Sequence, residues 1–149
     1  MGYPECAAAL EEILHNVVGL SEENVSRGDY RILGKGTSLA VVLMQGRFRE
    51  HQKSDDVRYR TVWQINVEMF VGFSVDKLTL DENIEEYRQS IMDMVDKYPT
   101  LNSTAGVVFA GIIEGDEPSL WDSPSKMWWK QTLVCEIEER NTVTYATGG

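Results

Sequence analysis

The chain has 149 residues, 42% of them hydrophobic, with four Trp, six Tyr and four Phe, which is enough apolar material to fill one core and implies one domain over residues 1–149. A formal net charge of -10 and a pI near 4.6 exclude general attraction to nucleic acid phosphate, so any such contact would need a local basic patch. With only Cys6 and Cys135 there is no disulfide framework, and both are expected as small buried hydrophobes.

The start MGYPECAAALEEIL has neither a basic leading region nor an unbroken apolar run, so it does not read as a signal peptide. No stretch approaches the roughly 20 apolar residues of a membrane helix, and a soluble protein made in a cytoplasm is expected. From Pro4 to about Val18 the residues Cys6, Leu10, Ile13, Leu14 and Val17 recur at helical spacing, with Pro4 suited to a first turn and Gly19 ending the run. The following LSEENVSRGDYRILGKGTS is polar and glycine-punctuated, and predicts a loop with at most one short strand at Tyr30 to Leu33. Its GKGTS lacks the spacing of a phosphate-binding loop and precedes a strand rather than a helix.

Ser38 to Arg49 predicts a strand that is apolar on both faces at first and polar from Gln45 onward. After the polar linker EHQKSDDV comes the most regular stretch of the chain, Arg60 to Phe73, in which Trp63, Ile65, Val67, Met69, Val71 and Phe73 alternate with Gln64, Asn66 and Glu68. At roughly 3.3 Å per residue it would span about 46 Å, more than twice a typical strand, so one end is expected to project beyond the core. Together the two strands predict a long hairpin with a charged far half. Between Arg47 and Arg60, five basic residues (Arg47, Arg49, Lys53, Arg58, Arg60) face three acidic ones (Glu50, Asp55, Asp56), a local excess of +2 in an acidic chain.

A helix follows over TLDENIEEYRQSIMDMVDKYP, with Thr79 or Asp81 as cap, Tyr98-Pro99 as stop, and an apolar stripe of Ile84, Tyr87, Ile91, Met94 or Val95, and Tyr98. The short strand GVVFAGII leads to the loop EGDEPSLWDSPS, whose Glu114, Asp116, Glu117 and Asp122 have no basic neighbour and whose Leu120 and Trp121 read as exposed anchors. The final strand, Lys126 to about Glu139, alternates Trp129, Leu133, Cys135 and Ile137 against Trp128, Lys130, Thr132, Glu136 and Glu138. The order predicts an α+β domain: a mainly antiparallel sheet of about four strands, two helices on one face, a long projecting β-hairpin, and a short flexible tail from about residue 143.

Catalytic chemistry finds little support in this inventory. His15 and His51 have no partners at metal-ligand spacing, and no nucleophile elbow, HExxH or dinucleotide fingerprint occurs. The cluster Glu114, Asp116, Glu117 has oxygen ligands for a divalent cation but no EF-hand pattern, and reads better as a solvated loop. No cofactor, no metal and no enzymatic activity are expected, with a small metal-dependent hydrolase as the weakest alternative. A basic arm and an acidic loop instead present two unlike surfaces, which suits head-to-tail contact between copies.

The order of elements, from the N-terminal helix through SLAVVLMQGRFRE and VRYRTVWQINVEMFVGF, DENIEEYRQSIMDMVDKYP and GVVFAGII to KMWWKQTLVCEIEE, resembles the tail terminator (tail completion) proteins of long-tailed bacteriophages. The strands VWQINVEMFV and WWKQTLVCEIEE are most similar to that family, and SEENVSRGDYRILGKGTS carries none of the likeness. The resemblance implies a structural virion protein, assembled in the host cytoplasm and located at the tail-neck junction. It would form a hexameric ring that caps the tail tube, ends tail polymerisation and joins the tail to the head connector. A head-tail adaptor or neck protein is the alternative. Its partners would be sister subunits, the tail tube protein and the connector or neck protein, with DNA passing through the lumen without specific binding and no membrane contact. The expected interface residues are Arg47, Arg49, Arg58 and Arg60 on the arm, and Glu114, Asp116, Glu117 and Trp121 on the acidic side.

Overall fold

The computed structural model describes residues 3–34, 38–53, 58–72, 77–122 and 127–142. Two α-helices, α1 (Tyr3–Leu14) and α2 (Lys77–Lys97), accompany six strands: β1 (Val25–Arg27), β2 (Leu39–Lys53), β3 (Arg58–Gly72), β4 (Val107–Gly115), β5 (Ser119–Asp122) and β6 (Met127–Thr142). The α+β class is as expected, but among the described residues the sheet has six strands rather than about four. Its order is β1-β2-β3-β6-β4, with β5 also on β6, and every pairing is antiparallel except β1 with β2. The two additional strands lie in stretches read as loops. Val25–Arg27 pairs in parallel with Val41–Leu43, and Tyr30–Gly34 is a 3-10 turn instead of a strand.

Both helices pack on one face of the sheet. Cys6, Ala7, Leu10, Ile13 and Leu14 of α1 join Leu80, Ile84, Ile91 and Val95 of α2 over the odd-numbered residues of β3 and β6, including Ile65, Val67, Met69, Leu133, Cys135 and Ile137. Helix α1 ends four residues earlier than its spacing suggests. Past Leu14 the bonds tighten, Asn16 N–H donating to Ile13 O and Val17 N–H to Leu14 O, so Val17 stays buried while Val18 faces solvent. The outer side of α2 carries Asp81, Glu82, Glu85, Glu86, Asp93 and Asp96, as a helix lying on a sheet requires. The opposite face of the sheet has a smaller core of Ile32, Leu33, Ala40, Val42, Phe70 and Trp128, roofed by Tyr30 and Trp121. Trp128, on this face of β6, is completely buried in a cluster with Ile32 and Leu33 of the 3-10 turn, and Trp121 of β5 packs against that cluster.

Strands β2 and β3 pair along their length, while the connection at 54–57 and the C-terminal residues from 143 lie outside the described residues. The far end is not a two-stranded hairpin. Strand β6 continues beside β3 until Thr142 lies opposite Arg58, whereas β4 starts only at Val107, opposite Glu139. Past that row the sheet narrows to a ribbon of β2, β3 and β6. Two register shifts between Gln45 and Glu50 on β2 fall just before the ribbon, in rows that β4 still flanks. There a Cβ on Gly46 would come within 2.7 Å of Gln64 O and 3.0 Å of Asn66 Oδ1, and the first of these is backbone that cannot swing aside. Gly46→Val is therefore expected to lower the unfolding free energy by about 1–3 kcal/mol, read from the urea midpoint; an unchanged midpoint would mean that the bulge opens freely.

Among the described residues no helix is long and apolar enough to cross a membrane. Cys6 and Cys135 are free and buried, and burial pushes each thiol up to about 12; for Cys6 the negative charges of Glu139 and Glu5 add to the effect.

Candidate interface surfaces

The ribbon ties its own charges together. Arg60 Nε and a terminal guanidinium nitrogen lie 2.8 and 2.7 Å from Glu138 Oε1, and Arg140 Nε donates to Glu138 Oε2 at 3.1 Å. Arg60, expected to reach toward a partner, is thus held on β6 of its own chain. The backbones of Arg49 and Arg58 lie in β2 and β3, and their side chains are outside the described residues. Arg47 is different. It is exposed next to the register shift, and among the arginine side chains described it alone has no ion pair: Arg27 meets Glu11, Arg31 meets Asp29, Arg88 meets Glu85, and Arg60 and Arg140 share Glu138.

At the base of the ribbon, Glu139 is fully buried on the helix-side face and accepts a hydrogen bond from the Trp63 indole. Tyr3 of α1 packs edge-on against the same indole, with ring centroids 6.5 Å apart, so the carboxylate couples the ribbon to the first helix. In the same row, His51 Nδ1 lies 2.8 Å from Thr61 Oγ1, and its ring stacks on Tyr59 farther out.

The acidic end lies across the sheet. Glu114 is at the end of β4, and Asp116 and Glu117 follow; all three are exposed. Asp116 fixes the turn: its carboxylate accepts from Thr132 N–H at 2.7 Å, its own N–H donates to Thr132 O, and its carbonyl accepts from Gln131 Nε2 at 2.7 Å. Among the described residues no three His, Cys, Asp or Glu side chains gather as metal ligands. Trp121 does not stand out as an anchor. It is half-buried, stacks on Tyr30 at 5.5 Å, and carries Lys130 Nζ 4.5 Å above its ring. Its neighbour Leu120 takes the other side of β5 and is 53% exposed. Lys130 also meets Glu68 at 3.3 Å, and Glu68 accepts from the Tyr30 hydroxyl at 2.5 Å. Burial, then the hydrogen bond to Glu68 and its charge, push the Tyr30 phenol up to about 12.

Beside Glu114 a groove of about 310 Å³ opens between α2 and the outer edge of the sheet, with Met92, Ile112, Glu114, Gln131 and Leu133 in its walls. Gln131 is only 6% exposed, and its Oε1 has no hydrogen-bond partner among the described residues. Sequence reasoning did not single out this residue. The available signal was a polar side chain on the core-facing side of β6, between Trp129 and Leu133. Exposed Val108, Phe109 and Ile113 make the neighbouring β4 the more apolar edge of the sheet.

No protein-family model matches the chain, and no curated protein does. Among the solved structures that align is one matched over 98% of this chain and 99% of its own, at 15% identity and a TM-score of 0.39.

Proposed function

We propose that this chain is the tail terminator subunit of a long-tailed bacteriophage, a non-enzymatic virion protein that closes into a hexameric ring on the tail tube and joins it to the head connector. The observation that supports this reading best is the difference between its two sheet edges. One, on β2 past the end of β1, has an exposed arginine with no ion pair among the described residues, and the other has exposed apolar and acidic residues on and after β4. Unlike surfaces on one subunit suit a heterologous contact, which closes into a ring when the rotation divides a full turn. A contact joining a surface to itself would need neither the asymmetry nor the charge difference. In such a ring the three-stranded ribbon is a ready extension toward tube or neck, and the excess negative charge keeps DNA from adhering in the lumen.

The test is the mass of the purified protein across a concentration series, by native mass spectrometry and sedimentation velocity, followed by its addition to polymerising tail tube protein. A hexamer that halts tube growth is the expected result; a monomer at every concentration that leaves tube growth unaffected would overturn the reading.

A further inference from the structure

Arg47 on β2 and the groove beside β4 are two unsatisfied halves on one molecule. The groove is lined by Gln131, whose Oε1 lies buried behind its wall with no partner among the described residues, and by an exposed carboxylate, Glu114, that has no ion pair among the described residues. Between them lie apolar walls of Met92, Ile112 and Leu133. Arg88 also borders the groove, but Glu85 on the preceding turn of α2 neutralises it. A carbonyl oxygen and a carboxylate above aliphatic walls call for a cation with several N–H donors on an apolar stem, which describes an arginine side chain better than a lysine or a metal ion. A buried acceptor without a donor is costly, so filling this site gains more than an ordinary surface pair.

The chain cannot fill its own groove with Arg47. Strands β3 and β6 stand between β2 and β4, and three strand spacings put the two edges about 14 Å apart. A second copy can. Strand β1 covers β2 only as far as Leu43, so past that residue β2 is the edge opposite β4, and copies set side by side in the same orientation bring this part of β2 to the β4 edge of the next. The levels are offset: Arg47 lies in the shifted stretch opposite Gln64, in the row of Glu136 and Gly111, whereas Glu114 pairs with Val134 and Gln131 lies three residues beyond that on β6, so the neighbouring copy is displaced along the strands by a few residues.

We propose that Arg47 of one copy enters the α2/β4 groove of the next, its stem lying on the apolar walls and its guanidinium donating to Gln131 Oε1 and Glu114. This rests on the ring reading and specifies its subunit contact. The experiment is sedimentation velocity on Arg47→Glu, Glu114→Arg, their combination, and Arg47→Lys, with thermal melts to check that each variant is folded. Each single reversal should weaken self-association by about tenfold or more, and the combined swap should recover most of it. Arg47→Lys, which keeps the charge but loses the fork, should fall in between. As a second measurement, Arg47→Cys mixed with Glu114→Cys under oxidised glutathione should give a disulfide between copies, with the native Cys6 and Cys135 too buried to compete. Rings that persist unchanged in Arg47→Glu, with no cross-link, would overturn the groove contact and leave the ring standing. Association that depends on Arg47 but produces open chains would overturn the ring and keep the contact, and a wild-type monomer at all concentrations would remove both.

Discussion

Trp128→Ala is expected to lower the free energy of unfolding by about 3–5 kcal/mol, the largest loss from any single truncation on the side of the sheet away from the helices. Trp128 is completely buried and meets Phe70 edge-on at 6.4 Å, within a cluster that otherwise consists of Ile32, Leu33, Ala40, Val42 and Phe70. So few neighbours cannot collapse to refill the space of an indole, and the cavity term should be felt almost in full. The same substitution should loosen β5, because Trp121 of that strand is paired opposite Trp128. Urea unfolding monitored by far-ultraviolet circular dichroism measures the first effect, and hydrogen exchange over Ser119–Asp122 the second. A loss under about 1 kcal/mol would mean that the 3-10 turn settles into the space.

Ile91→Ala should cost about 2–5 kcal/mol for the same kind of reason on the helix side. Ile91 is fully buried on α2, whereas Ile84, one end of the same stripe, retains 7% exposure and should be the milder site. Ile91 also bears on function, because Arg88 and Met92, which line the α2/β4 groove, lie on the same helix within one turn of it. Stability and self-association should therefore fall together in Ile91→Ala, whereas Arg47→Glu should affect association alone. Parallel denaturation and sedimentation measurements separate the two cases.

Legibility in the sequence followed burial. The alternation of Ile65, Val67, Met69 and Val71 identifies β3 because one of its faces is covered by helices, and the 3.6-residue stripe of α2 reads equally well. Strand β2 continues to Lys53, beyond the expected Arg49, because its last residues are held by pairing to β3 and carry no apolar period. Strands β1 and β5 are three and four residues long and owe their geometry to neighbours far away in sequence, which no local pattern records. Trp121 and Leu120 look alike in the sequence; only the pairing of β5 decides which one turns inward. Of the expected interface, Arg47 and Glu114 combine exposure with the absence of an ion pair among the described residues, whereas Arg60 is held by Glu138 and Asp116 by its own turn. Gln131 becomes informative only when α2 is placed beside β4, a relation between elements that are far apart in the chain.

Strand β6 has a consequence for how the chain reaches its fold. It follows every other element in the sequence, yet it lies between β3 and β4 and also carries β5. A nascent chain that has emerged only as far as Asp122 has β3 and β4 without a shared partner, each exposing apolar residues that belong to one core. Sheet closure must therefore wait for Met127–Thr142 to leave the ribosome, and it proceeds through contacts of high sequence separation, which slow folding. During that interval unpaired strand edges are open to sister chains, so truncation before residue 127 should yield aggregates rather than a smaller soluble domain.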